Sequence, residues 1–383
     1  MRLLHLYAGP FPTNQGTQAL VGQICRGLAA AGHEVHLLAY AHGRESAFGP
    51  FTVHRIPDRP RFRSERSFPH PVKALLDLRM SAECARLLGE LRPDIVDAHH
   101  YEALLAARLA DPRRRVPLVF HLHARLGPEL ETYLPGRLAG PARLMGAAID
   151  RFLPRLADRV VAVDRESVRL LIAGGLPARR VTWVPPPADV PRIPARPSRC
   201  PGDRVRAVYA GNLDAYQGLD RLLDGLARLG PAARAVLEVE VITASEPSGF
   251  EARARALGLG DLVRVTAHGP FERAWPRVAS ADIALVPRSL GGGAPIKLVN
   301  ALAAGQAVLA DQRVAGYLAH GEEAWLVDMR DPSAIAAAVE RLAGDELLRT
   351  RLGRGATRVA ARLHSAEAAT RALEQIYLHA SDR

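Results

Sequence analysis

Val286-Pro287-Arg288-Ser289-Leu290-Gly291-Gly292-Gly293-Ala294-Pro295-Ile296-Lys297 reads as the end of a buried strand, a glycine loop and a helix starting at Pro295. Proline is favoured at the first helical position because its missing N–H would be unpaired there anyway. The free backbone N–H groups of such a helix start, with a cation in the first turn, form an anion site. The anion this pattern suggests is a phosphate. Lys297 sharpens the reading. Lysine and arginine together number 51, yet only Lys73 and Lys297 are lysine. A position that keeps lysine against that bias wants a compact, flexible ammonium rather than a planar guanidinium.

Outward from this unit the chain reads as two runs of alternating strands and helices. In the first half, strands are expected near 2–8, 34–40, 51–55, 94–98, 116–122 and 159–163. Helices are expected near 17–31, 72–91, 102–110, 129–156 and 165–173. Asp94-Ile95-Val96-Asp97-Ala98 and Arg159-Val160-Val161-Ala162-Val163 have the short apolar look of parallel strands buried on both faces. In the second half, strands fall near 204–210, 236–242, 262–267, 282–286, 306–310 and 324–327. Helices there fall near 218–229, 250–258, 271–279, 296–304, 332–343 and 345–360, with a last one at 365–379. Such alternation implies parallel sheets with helices on both faces, an α/β chain of two Rossmann-like, doubly wound domains. The expected domains are 1–184 and 204–363, joined by a Pro-rich linker at 185–203. A C-terminal helix at 364–383 is expected to pack back on the first domain. A ligand would lie in a cleft between the two domains, at the carboxyl ends of the strands.

Two more strand–helix junctions fit that expectation. Gly9 through Gln18 joins the first strand to a helix, where Gly16 allows close backbone approach and Thr17 or Asn14 could cap. The loop lacks the G-x-G-x-x-G spacing of a dinucleotide fingerprint, and a simple capped turn is the alternative reading. Val208-Tyr209-Ala210-Gly211-Asn212-Leu213-Asp214-Ala215-Tyr216-Gln217-Gly218 is a second strand end. Gly211 sits where that strand stops, and Asn212 and Gln217 are neutral donors able to reach phosphate oxygens.

Composition bounds the function classes. The 383 residues carry 51 basic and 40 acidic side chains, a formal charge of +11. That charge admits nucleic acid, anionic membrane or phosphorylated substrates. Nucleic acid is disfavoured, because no nucleic-acid motif is present. Cys25, Cys84 and Cys200 are few and far apart, against a disulfide framework or zinc site and in keeping with a reducing compartment. The opening residues are too short an apolar run for a signal peptide, and no run of about 18 apolar residues exists. A cytoplasmic protein is expected.

The order and spacing of several landmarks then carry a resemblance. They are the 9–18 loop, Gly32-His33-Glu34-Val35, Asp94-Ile95-Val96-Asp97-Ala98-His99, His121-Leu122-His123, Gly211-Asn212-Leu213-Asp214, and Pro295 through Gly305. With these the chain resembles a family 4 glycosyltransferase of the GT-B fold along nearly its whole length. The resemblance implies retaining transfer of a sugar from a nucleotide-diphosphate sugar, such as a UDP- or GDP-sugar, without a bound cofactor or metal. Acceptors of similar enzymes are glycans, lipid-linked carriers or small molecules. In the family, an Arg and a Lys on the 211–217 loop hold the diphosphate, and two glutamates hold the sugar hydroxyls and the ribose. Here those four positions are Asn212, Gln217, Gly292 and Asn300. Asn300 can still hydrogen-bond a ribose through its amide. Residues Gly292, Gly293 and Ala294 would meet the sugar through backbone N–H groups, with Pro295 and Ile296 closing the donor loop. Arg288 and Lys297 would carry most of the charge neutralisation.

The chemistry needs little more. Breaking a glycosyl–phosphate bond leaves negative charge on the departing diphosphate, which cations, helix starts and backbone N–H groups must stabilise when no metal does. Lys297 is the leading candidate and Arg288 the second. By resemblance His123 contacts the donor sugar near the reacting carbon, or supports it through its backbone carbonyl; a hydrogen-bonded histidine ending a strand is the plainer reading. His99 and Glu129 are acceptor-side candidates, against packing for His99 and a simple first-turn carboxylate for Glu129. No Asp-x-Asp triplet and no cluster at metal-ligand spacing stands out. No pair of catalytic carboxylates does either, which disfavours a two-carboxylate hydrolase. Arg59, Arg61, Arg63 and Arg66, beside a helical pattern at 72–91, read as a solvated basic loop or as a patch holding the protein on the inner face of an anionic membrane. Another GT-B enzyme, such as a sugar-nucleotide epimerase, and a non-catalytic sugar-nucleotide-binding protein are the alternatives.

Overall fold

A computed structural model describes residues 1–12, 16–43, 49–58, 71–133, 136–188, 203–267, 271–289 and 293–381. It divides into two compact units. The first comprises Met1–Pro187, Gly292–Ala294 and Ala366–Arg383, and the second Ala188–Gly291 and Pro295–Ser365.

The first unit holds a seven-stranded parallel sheet. Its strands are β1 (Arg2–Tyr7), β2 (Glu34–Ala39), β3 (Thr52–Arg55), β4 (Ile95–His99), β5 (Leu118–Leu122), β6 (Arg159–Ala162) and β7 (Val181–Trp183), in the order β3-β2-β1-β4-β5-β6-β7. The order reverses between β1 and β4, which is the doubly wound arrangement with its switch point there. Every residue of β4 and β5 is buried, as expected of strands covered by helices on both faces. One face packs Leu4, Leu6, Val96, Phe120 and Val160. The other packs Leu3, Ile95, Val119 and Val161 beneath the helices Gly16–Ala30 and Ala366–Ser381. Those two helices touch closely: a Cβ on Gly27 would lie 2.5 Å from the Thr370 hydroxyl oxygen.

The second unit holds a six-stranded parallel sheet, β8 (Val205–Ala210), β9 (Leu237–Thr243), β10 (Val263–Ala267), β11 (Ile283–Val286), β12 (Ala307–Asp311) and β13 (Trp325–Val327), in the order β10-β9-β8-β11-β12-β13. Its switch point lies between β8 and β11. Helix starts follow side-chain capping rules. Asp331 accepts from the Ser333 N–H before Pro332–Gly344, and Asp345 accepts from the Leu348 N–H before Glu346–Leu363.

Four expectations need correction or a boundary. The single helix at 129–156 is two, Leu126–Tyr133 and Gly136–Phe152, followed by a 3₁₀ turn Leu153–Leu156; Pro154, with no N–H to donate, marks the end of the second. The helix expected to start at Pro295 is Ile296–Ala303, with Pro295 outside it at φ −70°, ψ 109°. A short strand, β7, was not foreseen; three residues are too few to show a period. Most of the 185–203 linker, residue 292 and the four arginines at 59–66 lie outside the described residues. No helix among the described residues is long and apolar enough to cross a membrane.

Candidate active site

In the second unit the polar residues gather at the switch point, where β8 and β11 lie side by side. Lys297 stands in the first turn of Ile296–Ala303. Its Nζ donates to the Tyr209 hydroxyl at 2.8 Å and to Gln217 Oε1 at 2.8 Å, and lies 4.0 Å from the centre of the Tyr209 ring. A Cβ on Gly211 would sit 2.7 Å from that ammonium, so only glycine at 211 lets the lysine lie against the backbone there. Gly218, at φ 75°, is likewise fixed: a Cβ would lie 2.6 Å from the Pro287 carbonyl oxygen.

The electrostatics follow from these partners. Both hydrogen-bond acceptors of Lys297 are neutral. Burial depresses its pKa to about 7, helped by the Arg288 guanidinium and opposed by Asp214. Burial also pushes the Tyr209 phenol up, so it stays an uncharged acceptor and donates on to the Asn212 carbonyl at 2.5 Å. Gln217 Nε2 donates to Asn212 Oδ1 at 2.8 Å, and Asn212 Nδ2 donates to the Tyr216 hydroxyl at 3.1 Å. Arg288 places its guanidinium 5.5 Å from the Tyr216 ring centre. Asn212 and Gln217 thus form a neutral pair that holds the lysine instead of adding charge beside it. A partly desolvated ammonium with neutral partners is built to receive an anion. Asn300 is buried on the same helix, three residues beyond Lys297. Tyr209 and Tyr216 were missed by the sequence reading; the signal was an aromatic residue two positions before the strand-end glycine.

In the first unit the fold assembles a cluster that chain spacing does not reveal. His5 on β1, Asp97 and His99 on β4, and His121 on β5 share one face of the sheet, through the pairs His5↔Asp97, Tyr7↔His99 and His99↔His121. His123 follows β5 on that face. His5 Nδ1 meets His99 Nε2 at 3.0 Å, and His99 Nδ1 meets His123 Nε2 at 2.9 Å. Asp97 Oδ2 accepts from the Tyr377 hydroxyl at 2.6 Å, and lies 3.9 Å from His5 Nδ1 and 3.7 Å from His121 Nδ1. Burial lowers the His5 pKa to about 4, against the pull of Asp97, and holds His99 and His123 well below their ordinary value. Burial opposes ionisation of Asp97, but His121, His5 and Tyr377 bring it below the usual carboxylate range. Three ligand-type atoms of His5, Asp97 and His99 lie within 4.8 Å of one another, a grouping the sequence spacing gave no hint of. Each of the three residues already has a protein hydrogen-bond partner.

The remaining candidates are placed as follows. Gly16 opens the helix Gly16–Ala30 beyond the carboxyl end of β1. His100 directly follows β4 at φ 72°, a strained conformation for a non-glycine residue, and its ring lies 4.9 Å from that of His123. Gly293, at φ 117°, groups with the first unit, where a Cβ would lie 2.6 Å from the His123 carbonyl oxygen. Ala294 packs at the margin of the first unit's core. Glu129 lies in the first turn of Leu126–Tyr133. That helix start is held by Asp150, which accepts from the Leu126 and Gly127 N–H groups at 2.8 and 2.9 Å and from the Tyr101 hydroxyl at 2.5 Å.

Two sheets in doubly wound order, each with its polar cluster at the carboxyl ends of the switch-point strands, define a GT-B type protein. Comparison with known proteins agrees. Residues 15–192 match Glycosyltransferase Family 4 and residues 195–359 match Glycosyl transferases group 1. A D-inositol 3-phosphate glycosyltransferase of Geodermatophilus obscurus is 30% identical over 283 residues, which span 67% of this chain and 60% of that protein. One from Acidothermus cellulolyticus is 27% identical over 377 residues, 91% of this chain and 82% of that protein. Among solved structures, sucrose-phosphate synthase from Thermosynechococcus elongatus aligns with a TM-score of 0.81 at 16% identity, covering 99% of this chain and 98% of that one. Anabaena HepE in complex with UDP and glucose aligns with a TM-score of 0.73 at 16% identity, covering 98% of both. The chain belongs to the family 4 glycosyltransferases.

Proposed function

We propose that the protein transfers a sugar from a nucleotide-diphosphate sugar, with retention at the anomeric carbon and without a divalent metal. The observation that carries this is Lys297, a partly desolvated cation whose hydrogen-bond acceptors are neutral. In the proposed reaction Lys297 takes the departing diphosphate, aided by the first N–H groups of Ile296–Ala303 and by Arg288. Gly16, Gly211, Asn212, Gln217 and Asn300 shape the donor site, with 292–294 offering backbone N–H groups. His123 serves the donor sugar, and His99 and Glu129 stand on the acceptor side. UDP-sugars are the first donors to test, since HepE is described with UDP and glucose. A phosphorylated polyol is the first acceptor to test, since the relatives are named for D-inositol 3-phosphate. Peripheral contact with an anionic membrane rests on the arginines at 59–66 alone.

The test is turnover of UDP-glucose and GDP-mannose with an acceptor panel in excess EDTA, with the product's anomeric configuration read by NMR. Product of unchanged anomeric configuration is expected. Turnover that EDTA abolishes and Mg²⁺ or Mn²⁺ restores would overturn the metal-free reading, and inverted product the retaining one. Tight donor binding with no turnover on any acceptor would make the chain a sugar-nucleotide-binding protein.

A further inference from the structure

The three linked imidazoles of the first unit leave a choice that the surrounding atoms decide. A neutral imidazole has one N–H and one lone pair. The contacts His5 Nδ1–His99 Nε2 and His99 Nδ1–His123 Nε2 therefore admit two concerted arrangements. In one, all three rings carry the proton on Nδ1, and His123 is left with an unpaired Nδ1–H. In the other, all three carry it on Nε2, and His123 is left with a bare Nδ1 lone pair.

One observation separates them, and a second says where an unpaired N–H would fall. Asp97 Oδ2 lies 3.9 Å from His5 Nδ1, and a carboxylate there favours a proton on that nitrogen. His5 Nε2 is buried and has no hydrogen-bond partner. A lone pair tolerates that position, whereas a buried N–H without an acceptor is costly. The Nε2–H arrangement would leave such an orphan at His5, in the interior of the sheet. The Nδ1–H arrangement leaves the equivalent orphan at His123 Nδ1, equally buried and unpartnered, so burial alone does not choose; it puts that N–H just past the carboxyl end of β5 instead of inside the sheet.

We infer that Asp97, through His5 and His99, fixes His123 as the Nδ1–H tautomer, so that His123 offers a hydrogen-bond donor to a substrate oxygen instead of acting as a base. Asp97, His5 and His99 are then positioning residues. Tyr377 completes the device by donating to Asp97 Oδ2, keeping the carboxylate in place without neutralising it. The ladder is buried at His5, Asp97 and His99. The inference deepens the role proposed above for His123. It predicts that a sugar hydroxyl or ring oxygen able to accept, and not a group that must lose a proton, meets this ring.

The test is a long-range ¹H–¹⁵N correlation spectrum of the full-length unliganded protein with ¹⁵N-histidine, with rings assigned through His5→Gln, His99→Gln and His123→Gln. Pyrrole-type Nδ1 and pyridine-type Nε2 on all three rings are expected. The reverse pattern on His123 would overturn the inference, and this measurement needs no variant of Asp97. In Asp97→Asn the ladder should lose its bias, with His123 moving toward the Nε2–H form. An unchanged His123 pattern in that variant would remove Asp97 from the device. Because no donor is present, failure here leaves the Lys297 reading standing, and failure of donor binding leaves this one standing.

Discussion

The state of Lys297 before substrate arrives makes donor binding pH-dependent in a defined direction. Burial brings the lysine to about 7 in the unliganded protein. A diphosphate diester such as that of UDP-glucose stays doubly charged across this range and binds the ammonium form. At pH 6 roughly nine-tenths of Lys297 is charged, and at pH 8 roughly one-tenth. The affinity for UDP-glucose should therefore fall about tenfold between pH 6 and pH 8, about 1.4 kcal/mol. Calorimetry in buffers of different ionisation enthalpy should find close to one proton taken up per ligand at pH 8 and close to none at pH 6. Lys297→Ala should weaken binding at pH 6 by roughly 1.5–3 kcal/mol and flatten the pH profile. The unliganded protein should respond the opposite way. A lysine lowered from 10.5 toward 7 on folding binds its proton more readily when unfolded, so its contribution to stability rises with pH between those values. Lys297→Met should accordingly raise the thermal midpoint at pH 7 and below while weakening donor binding as the alanine variant does. An affinity constant from pH 6 to pH 8, with no proton uptake, would refute the reasoning.

Two further outcomes test other parts of the fold and sequence. Asp150→Ala removes the acceptor for the Leu126 and Gly127 N–H groups and for Tyr101; a loss of about 2–4 kcal/mol is expected, and an unchanged melting temperature would refute that role. Replacing Arg59, Arg61, Arg63 and Arg66 by Ser should reduce co-sedimentation with anionic liposomes at low salt, each arginine near the surface contributing about 1 kcal/mol; equal sedimentation returns the segment to a solvated loop.

The parallel strands were legible because strands buried on both faces read as short apolar runs, as at Ile95–His99 and Leu118–Leu122. Lys297 stood out through its rarity and its place in the first turn of a helix. The reason for its environment was not legible, because Tyr209 reaches it across 88 positions of chain. The histidine ladder was hidden for a similar reason. His5, Asp97, His99, His121 and His123 share a face only through strand register, and register is set by pairings that no local pattern records. Helix limits moved where proline decided them: Pro154 follows the end of Gly136–Phe152, and Pro295 took an extended ψ outside Ile296–Ala303.

The helix Ala366–Ser381 belongs to the first unit although the whole second unit precedes it along the chain. Leu373, Ile376 and Tyr377 fill one face of the first sheet beside Leu3, Val21 and Ile95. During synthesis, then, residues 1–187 wait for a helix made after the whole second unit. Until Ala366–Ser381 leaves the ribosome, that sheet face has only the helix Gly16–Ala30 over it and Asp97 lacks its tyrosine. The second unit, whose residues all come earlier than that helix, can close its own core beforehand. Order of emergence and order of completion are thus reversed between the two units.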